Sequence, residues 1–429
     1  MGVRKVLAGL ARSAPVAVFP IVGSGARDMV RDLRLRHEVE LVPTPRHATV
    51  LLVVGRFSPG AIPGLAVVHD QLPVPRATVR WKGNASDEIS SARLVDGDEE
   101  DLIATLVALN REILADPSRS EPPILPDVDD VEWRGVGPYG HGGKGMTGGT
   151  PYGRPLVERA ADRDGMELDQ LPVTVGPWVG ALPWGLELLV KLQGDVIQEV
   201  EVGLPVVGER PTDVFSMATH EPVTVAVLEL ERARHHLRWL ADALLIQGLS
   251  ALGLRALRLS RILEPHHRQE AERLLAMVRR SGVFGFALNR AGGEITGSPA
   301  AGLGPVARAG GLEDDGRLDE PAYRELGFEA VLHQKGDAAA RWRQRMAEVT
   351  QSLDLCNRAG DRTAFGAGLV EGPRGRITVD GPSASDVILD LLPQLLSGLE
   401  WGDAVSLVWS LDIDPTDRVE ALVENQGTS

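Results

Sequence analysis

Continuous apolar runs alternate with helical stretches at the start of the chain. Pro15 to Val22 is apolar throughout, a Gly-Ser-Gly turn (Gly23 to Gly25) follows, and a helical stretch (Ala26 to Arg36) leads to a second apolar run, Val50 to Gly55. Strands without a polar face belong in a parallel sheet covered by helices on both sides. Val67-Val68, Ala77 to Trp81 and a helix over Glu99 to Leu114 continue the alternation. Residues 1–116 are therefore predicted to form a small doubly wound α/β domain.

The pattern then breaks. Pro117, Pro122, Pro123 and Pro126 lead into acidic residues and a glycine-dense stretch over 135–153, so 117–172 reads as a long connector. From residue 173 onward the periodicity changes. Leu186 to Leu192 and Val196 to Val202 flank Gln193-Gly194-Asp195, a hairpin signal. Helical spacing follows over Glu221–Gly248, Pro265–Ser281, Asp337–Ala359 and Pro382–Ser397, and Ala404 to Leu411 reads as a strand. Residues 173–429 are expected to form an α+β, mainly helical domain.

Composition narrows the function classes. The 429 residues carry a net charge of −15, a poor surface for nucleic acid, whose phosphates call for clustered Lys and Arg. The basic patch Arg27, Arg31, Arg34 and Arg36 reads first as the solvated face of a short helix and second as a face that docks on an acidic partner or anionic headgroups. A single cysteine, Cys356, rules out an internal disulfide and any all-cysteine metal site built from this chain, and points to a cytoplasmic setting. No apolar run approaches the ~20 residues of a membrane span, and Arg12 interrupts the weakly apolar start, which reads as mature protein.

Two stretches resemble known families. Thr44-Pro45-Arg46-His47-Ala48 leading into Val50 to Gly55, with His69-Asp70-Gln71-Leu72-Pro73-Val74-Pro75-Arg76, resembles the complex I subunit that holds the terminal iron–sulfur cluster, a relative of the hydrogenase small subunit. Gly304-Pro305-Val306-Ala307-Arg308-Ala309-Gly310 resembles a segment of the quinone-site subunit of complex I, a relative of the hydrogenase large subunit. Asp319-Glu320-Pro321, Tyr323, Gly336-Asp337, Arg341, Arg345-Met346, Glu348, Gln351-Ser352-Leu353, Pro373-Arg374-Gly375, Ser410-Leu411-Asp412 and Asp417-Arg418 follow in that family's order. Glu229 to Leu240, with His236-Leu237, resembles an earlier helix of the same family.

The departures bear on chemistry. Ser24 and Gly25 stand where the resemblance implies a cysteine pair, and Asn84 lies near the third cysteine position. A cubane cluster needs four thiolates, so no cluster is expected. The C-terminal motif holds no Cys-x-x-Cys, so a nickel–iron site is not expected either. The family's quinone loop, with its two histidines, aligns on Gly176-Pro177-Trp178-Val179-Gly180-Ala181-Leu182-Pro183-Trp184, where Val179 and Pro183 replace both. With no titratable donor there, quinone chemistry by that route is lost. The weak quinone-site equivalents are Gly176, Pro177, Trp178, Val179, Pro183, Trp184 and His236; Trp178 and Trp184 are expected to fill a vacated space.

Other constellations carry less. Gly142-Gly143-Lys144-Gly145-Met146-Thr147 lacks the Ser or Thr directly after Lys that a phosphate loop needs. His235-His236 and His266-His267 are adjacent pairs, whose rings diverge on a helix, and read as buried or capping residues. No Gly-x-Ser-x-Gly elbow is present. The resemblance thus implies a peripheral subunit on the cytoplasmic face of a membrane-bound, ion-translocating complex, beside antiporter-like and quinone-module subunits, with no catalytic residue or redox cofactor of its own. Two alternatives stand beside it: an oxidoreductase subunit that binds quinone in a rebuilt pocket, and a soluble binding protein for a small apolar ligand.

Overall fold

A computed structural model describes residues 14–57, 61–83, 92–127, 158–161, 165–203, 213–366, 368–378 and 381–415. The first region is built on strands β1 (Val16–Val22), β2 (Val39–Leu41), β3 (Val50–Gly55), β4 (Ala77–Gly83) and β5 (Arg93–Val95). They pair in parallel in the order β2-β1-β3-β4-β5. Alternate side chains of each strand point to opposite faces, which explains the unbroken apolar runs. Val18, Val22, Leu52 and Val54 pack with helix α1 (Arg27–Leu33) and helix α3 (Glu99–Ala115) on one side. Phe19, Ile21, Leu51 and Val53 pack on the other side, under helix α2 (Ile62–Gln71). This is the doubly wound arrangement the pattern predicts.

Both ends of the stretch read as connector are structured. At one end, Asp70 accepts from the backbone N–H groups of Ile124 and Leu125, and Glu121 accepts from the Thr78 hydroxyl at 2.7 Å. Residues 117–125 thus lie against the sheet domain. At the other end, β6 (Arg159–Ala161) and β7 (Glu167–Val175) join β8 (Leu188–Gln193) and β9 (Val196–Val202) in an antiparallel sheet. The hairpin turn pairs Gln193 with Val196 and puts Gly194 at φ +63°, a left-handed conformation that suits glycine. The glycine-dense stretch itself lies outside the described residues.

The second region is mainly helical. Helices α4 (Val225–Ile246), α5 (Ser250–Ile262), α6 (Arg268–Arg280) and α7 (Ala338–Ala359) pack on one another, and α8 (Ala384–Leu396) lies on β9. Caps fix their starts: Thr224 accepts from Val227, Asp337 from Ala340, and Ser383 with Asp386 closes a capping box. Two expectations change here. Residues 401–411 are a helix, α9 (Trp401–Leu411), because Ala404, Leu407, Val408 and Leu411 form a stripe at helical spacing that enters the core. A short apolar run alone does not separate helix from strand. The basic patch is likewise no solvated face: Arg31 is buried, and Arg27, Arg31 and Arg36 are all engaged in ion pairs.

Candidate functional site

Beyond β1 the chain turns through Gly23, Ser24 and Gly25. A Cβ at Gly23 would come within 2.5 Å of the Arg56 carbonyl oxygen, so only glycine lets the turn approach the extension of β3. The buried Ser24 bridges to Arg56 through its backbone. The turn sits between β1 and β3, where the sheet order reverses, the position at which open α/β sheets bind ligands.

From this turn α1 presents Arg27, Arg31 and Arg34 at i, i+4 and i+7, one helix face, toward the helical region. Arg31 donates through Nε to Asp242 of α4 at 2.6 Å and through Nη1 to Asp28 at 2.7 Å. Arg238 reaches Asp28 at 3.2 Å. Arg27 donates to Asp414 at 3.3 Å, and Arg374 pairs with Asp414 at 3.0 Å. His235 Nε2 and the Asp412 carboxylate lie 2.7 Å apart. Charges from both halves thus enclose a cavity of about 230 Å³ whose walls include Gly23, Gly25, Arg27, Trp184, His235 and Asp414.

Burial pushes the His235 imidazole down to about 3 against the opposing pull of Asp412. Burial alone would raise Asp412, but His235, Arg374 and Arg345 hold it below the usual carboxylate range. The pair is therefore a neutral imidazole donating to a carboxylate. The turn bears hydrogens and one hydroxyl, and Cys356 lies on α7, donating its Sγ–H to the Ala226 carbonyl at 3.2 Å. These residues do not fit an iron–sulfur cluster. Among the described residues no group of three His, Cys, Asp or Glu side chains is placed to hold a metal ion.

The loop 176–184 lies at the same junction. Gly176 has φ +109°, and a Cβ there would collide with the Leu186 carbonyl oxygen; the Gly185 N–H closes the loop on the Pro177 carbonyl at 2.9 Å. Trp178 is buried in the sheet domain's second core, edge-on to Phe57, with its benzo edge against Gly64 of α2. Pro183 is buried and Val179 is exposed. Trp184 borders both the charged cavity and a second one, of about 350 Å³, lined by Phe19, Trp178, Leu182, Leu245, Trp409 and the side chain of Arg34. His236 is not brought to either cavity: its Nε2 meets Glu348 at 3.2 Å inside the helical core. Asn84 lies outside the described residues.

That helical core holds a buried ionic network. Arg308 bonds Glu348 at 2.9 Å and Glu371 at 2.8 Å, and pairs with Asp315 at 3.0 Å. Arg317 joins Asp315 at 2.7 Å to Glu229, which also accepts from the Tyr323 and Ser352 hydroxyls at 2.7 and 2.6 Å. Burial would raise Glu348, yet Arg308 and His236 hold it well below the usual range.

Residues 298–386, the stretch that supplies most of this network, match the family described as respiratory-chain NADH dehydrogenase, 49 Kd subunit. This stretch is complex I-like. Curated relatives agree: the NADH-quinone oxidoreductase D subunit of Desulfotalea psychrophila is 30% identical, over 26% of this chain and 38% of its own length. One of the D-type subunits of Rhizobium etli is 34% identical over 28% of each chain, and one from Chloroherpeton thalassium 43% over 13% of each. The chain thus spans well under half the length of the curated relatives it matches. Among solved structures, a chain of the membrane-bound sulfane sulfur reductase, an archaeal respiratory membrane complex, aligns with 58% of this chain and 99% of its own at 16% identity and a TM-score of 0.39.

Outside the complex I-like stretch, sequence reasoning missed three parts of the junction. The pairing of Arg31 with Asp242 and of His235 with Asp412 spans 211 and 177 residues of chain, and no local signal joins them. The third is the docking of the α1 face: the i, i+4, i+7 spacing groups Arg27, Arg31 and Arg34 without telling a docked face from a solvated one.

Proposed function

We propose that this chain is a peripheral, non-catalytic subunit of a membrane-bound, complex I-related assembly, seated on the cytoplasmic face beside antiporter-like and quinone-module subunits, with no redox cofactor of its own. The observation that carries the reading is a complex I-like segment, 298–386, in a chain whose junction turn offers Gly23, Ser24 and Gly25 in place of thiolates. None of the described helices is long and apolar enough to cross a membrane, in keeping with a subunit attached through others. Joining both halves in one chain keeps them at high effective concentration.

The test is purification of the tagged protein from detergent-solubilised native membranes, followed by identification of co-purifying chains and metal analysis. Antiporter-like membrane subunits with iron and nickel far below one atom per chain are the expected result. A protein recovered without membrane partners, or carrying stoichiometric iron held by its own side chains, overturns the reading. The second reading, a quinone-binding oxidoreductase subunit, is favoured by one observation, the 350 Å³ cavity beside Trp178 and Trp184. It requires quinone reduction by the purified complex that falls on Trp184→Ala.

A further inference from the structure

The larger cavity at the junction has a mixed wall, with Phe19, Leu182, Leu245, Trp178, Trp184 and Trp409 on its apolar part and Arg34 and Asp242 on its polar part. Its volume, about 350 Å³, lies within the range of small-molecule sites. Two of its lining residues stand apart. The Nε of Arg34 and the Nε1 of Trp178 are both buried, and neither has a hydrogen-bond partner among the described residues. Buried donors are satisfied in the great majority of proteins, and each orphan calls for an explanation. Two orphans lining one cavity point to an acceptor that enters it.

The charge balance narrows the acceptor. Asp242, the carboxylate that also lines the cavity, is bonded to Arg31 at 2.6 Å. Arg34 makes no close ion pair of its own among the described residues; Asp242 attracts it, so Arg31 and Arg34 share that carboxylate. The half-buried Arg34 guanidinium, whose nearby carboxylate is already bonded to Arg31, is better balanced when a second carboxylate arrives. A neutral carbonyl would satisfy the donors and leave the charge; a carboxylate does both, in the geometry a guanidinium favours. Trp178 cannot turn away from the cavity freely, since its benzo edge is seated against Gly64, where a Cβ would lie 2.8 Å from the ring. That seating leaves the pyrrole edge, with Nε1, on the opposite side.

We propose that this cavity binds a small amphiphilic carboxylate, an acid with an aromatic or compact apolar body, whose oxygens are held by Arg34 and Trp178 Nε1. The inference does not rest on the assembly reading above, since it concerns the isolated full-length chain. Its failure would leave that reading standing, and the reverse also holds.

The test is calorimetric titration of the purified full chain with three probes: 1-naphthoate, its neutral isostere 1-naphthamide, and decylubiquinone. Naphthoate is expected to bind at least about tenfold more tightly than the amide, the scale of one charge-assisted hydrogen bond. Arg34→Gln should bring the two probes level, Arg34→Lys should restore part of the preference, and Trp178→Phe should weaken naphthoate about threefold or more with the aromatic body kept. If Arg34→Gln does not fold, the ratio in the unaltered protein and the Trp178→Phe result decide. The proposal is overturned if the amide matches the acid, if naphthoate does not bind at millimolar concentration, if decylubiquinone binds and naphthoate does not, or if the preference survives Arg34→Gln.

Discussion

Both halves of this molecule are built on hydrocarbon cores, but the helical half adds a buried ionic network to its own. In the sheet domain, Ile21, Leu51, Leu52 and Val53 are buried to the last few per cent among other hydrocarbon side chains. In the helical domain the buried set includes Glu229, Arg232, Arg308, Arg317, Glu348 and Glu371. A hydrocarbon core tolerates exchange at the cost of the area and volume lost. A buried ionic core is specified pair by pair, because removing one partner strands the other in a low-dielectric interior. The complex I-like stretch falls on the second kind.

The contrast is broken most directly at Arg308, which serves three carboxylates at once. Arg308→Met is expected to cost about 5 kcal/mol, enough to unfold the helical domain in a urea titration followed by tryptophan fluorescence. Leu52→Ala, at the centre of the sheet, should cost about 3 kcal/mol in the same titration. If the two losses come out equal, the ionic network is no more demanding than ordinary packing.

Acid sharpens the same comparison. Burial pushes His235 down to about 3 and also lowers His236. A base whose folded value lies below its unfolded one binds more protons when unfolded, so stability is complete above about pH 6.5 and falls as pH drops toward 3. Each such histidine adds at most about 1.4 kcal/mol per pH unit to that slope. For Asp315, burial opposes and Arg317 and Arg308 prevail, lowering it to about 2; its contribution is present above about pH 4 and is lost as pH falls through 2. Urea midpoints between pH 7.5 and 5 should therefore decline, and His235→Asn should flatten the decline. The smallest effect is expected at the surface. Arg268 pairs with Glu272 at 3.0 Å and with Asp354 of α7, all at the surface, so Arg268→Ala should move the midpoint by less than about 1 kcal/mol.

Much of the sheet domain was legible, because its strands, buried on both faces, leave apolar runs that alternate with helical stretches, and the alternation tells more than any single run. The hairpin at Gly194-Asp195 and helices α4 and α7 were legible for the same local reason, a turn signal or a periodic stripe. Helix α5 went unread because Gly248 ends the preceding pattern and the new stripe starts two residues later. Helix α9 was misread as a strand, since its charge-poor run is too short to show its period. At the site, the glycine turn and the 176–184 loop could be located by resemblance. The arginines of α1 could not be placed, because a face that docks on another domain and one that faces water carry the same charges. The ionic network was visible only as scattered residues, for its partners are brought together by the tertiary fold.

One small fit sets how the halves register. At Gly64 the helix offers a notch the depth of a methyl group, and the indole of Trp178 occupies it. The ion pairs at the rim weaken in concentrated electrolyte, but a shape match has no charge to screen. The alignment of the two halves should therefore outlast the loss of their electrostatic attraction, with the missing side chain acting as the keyway.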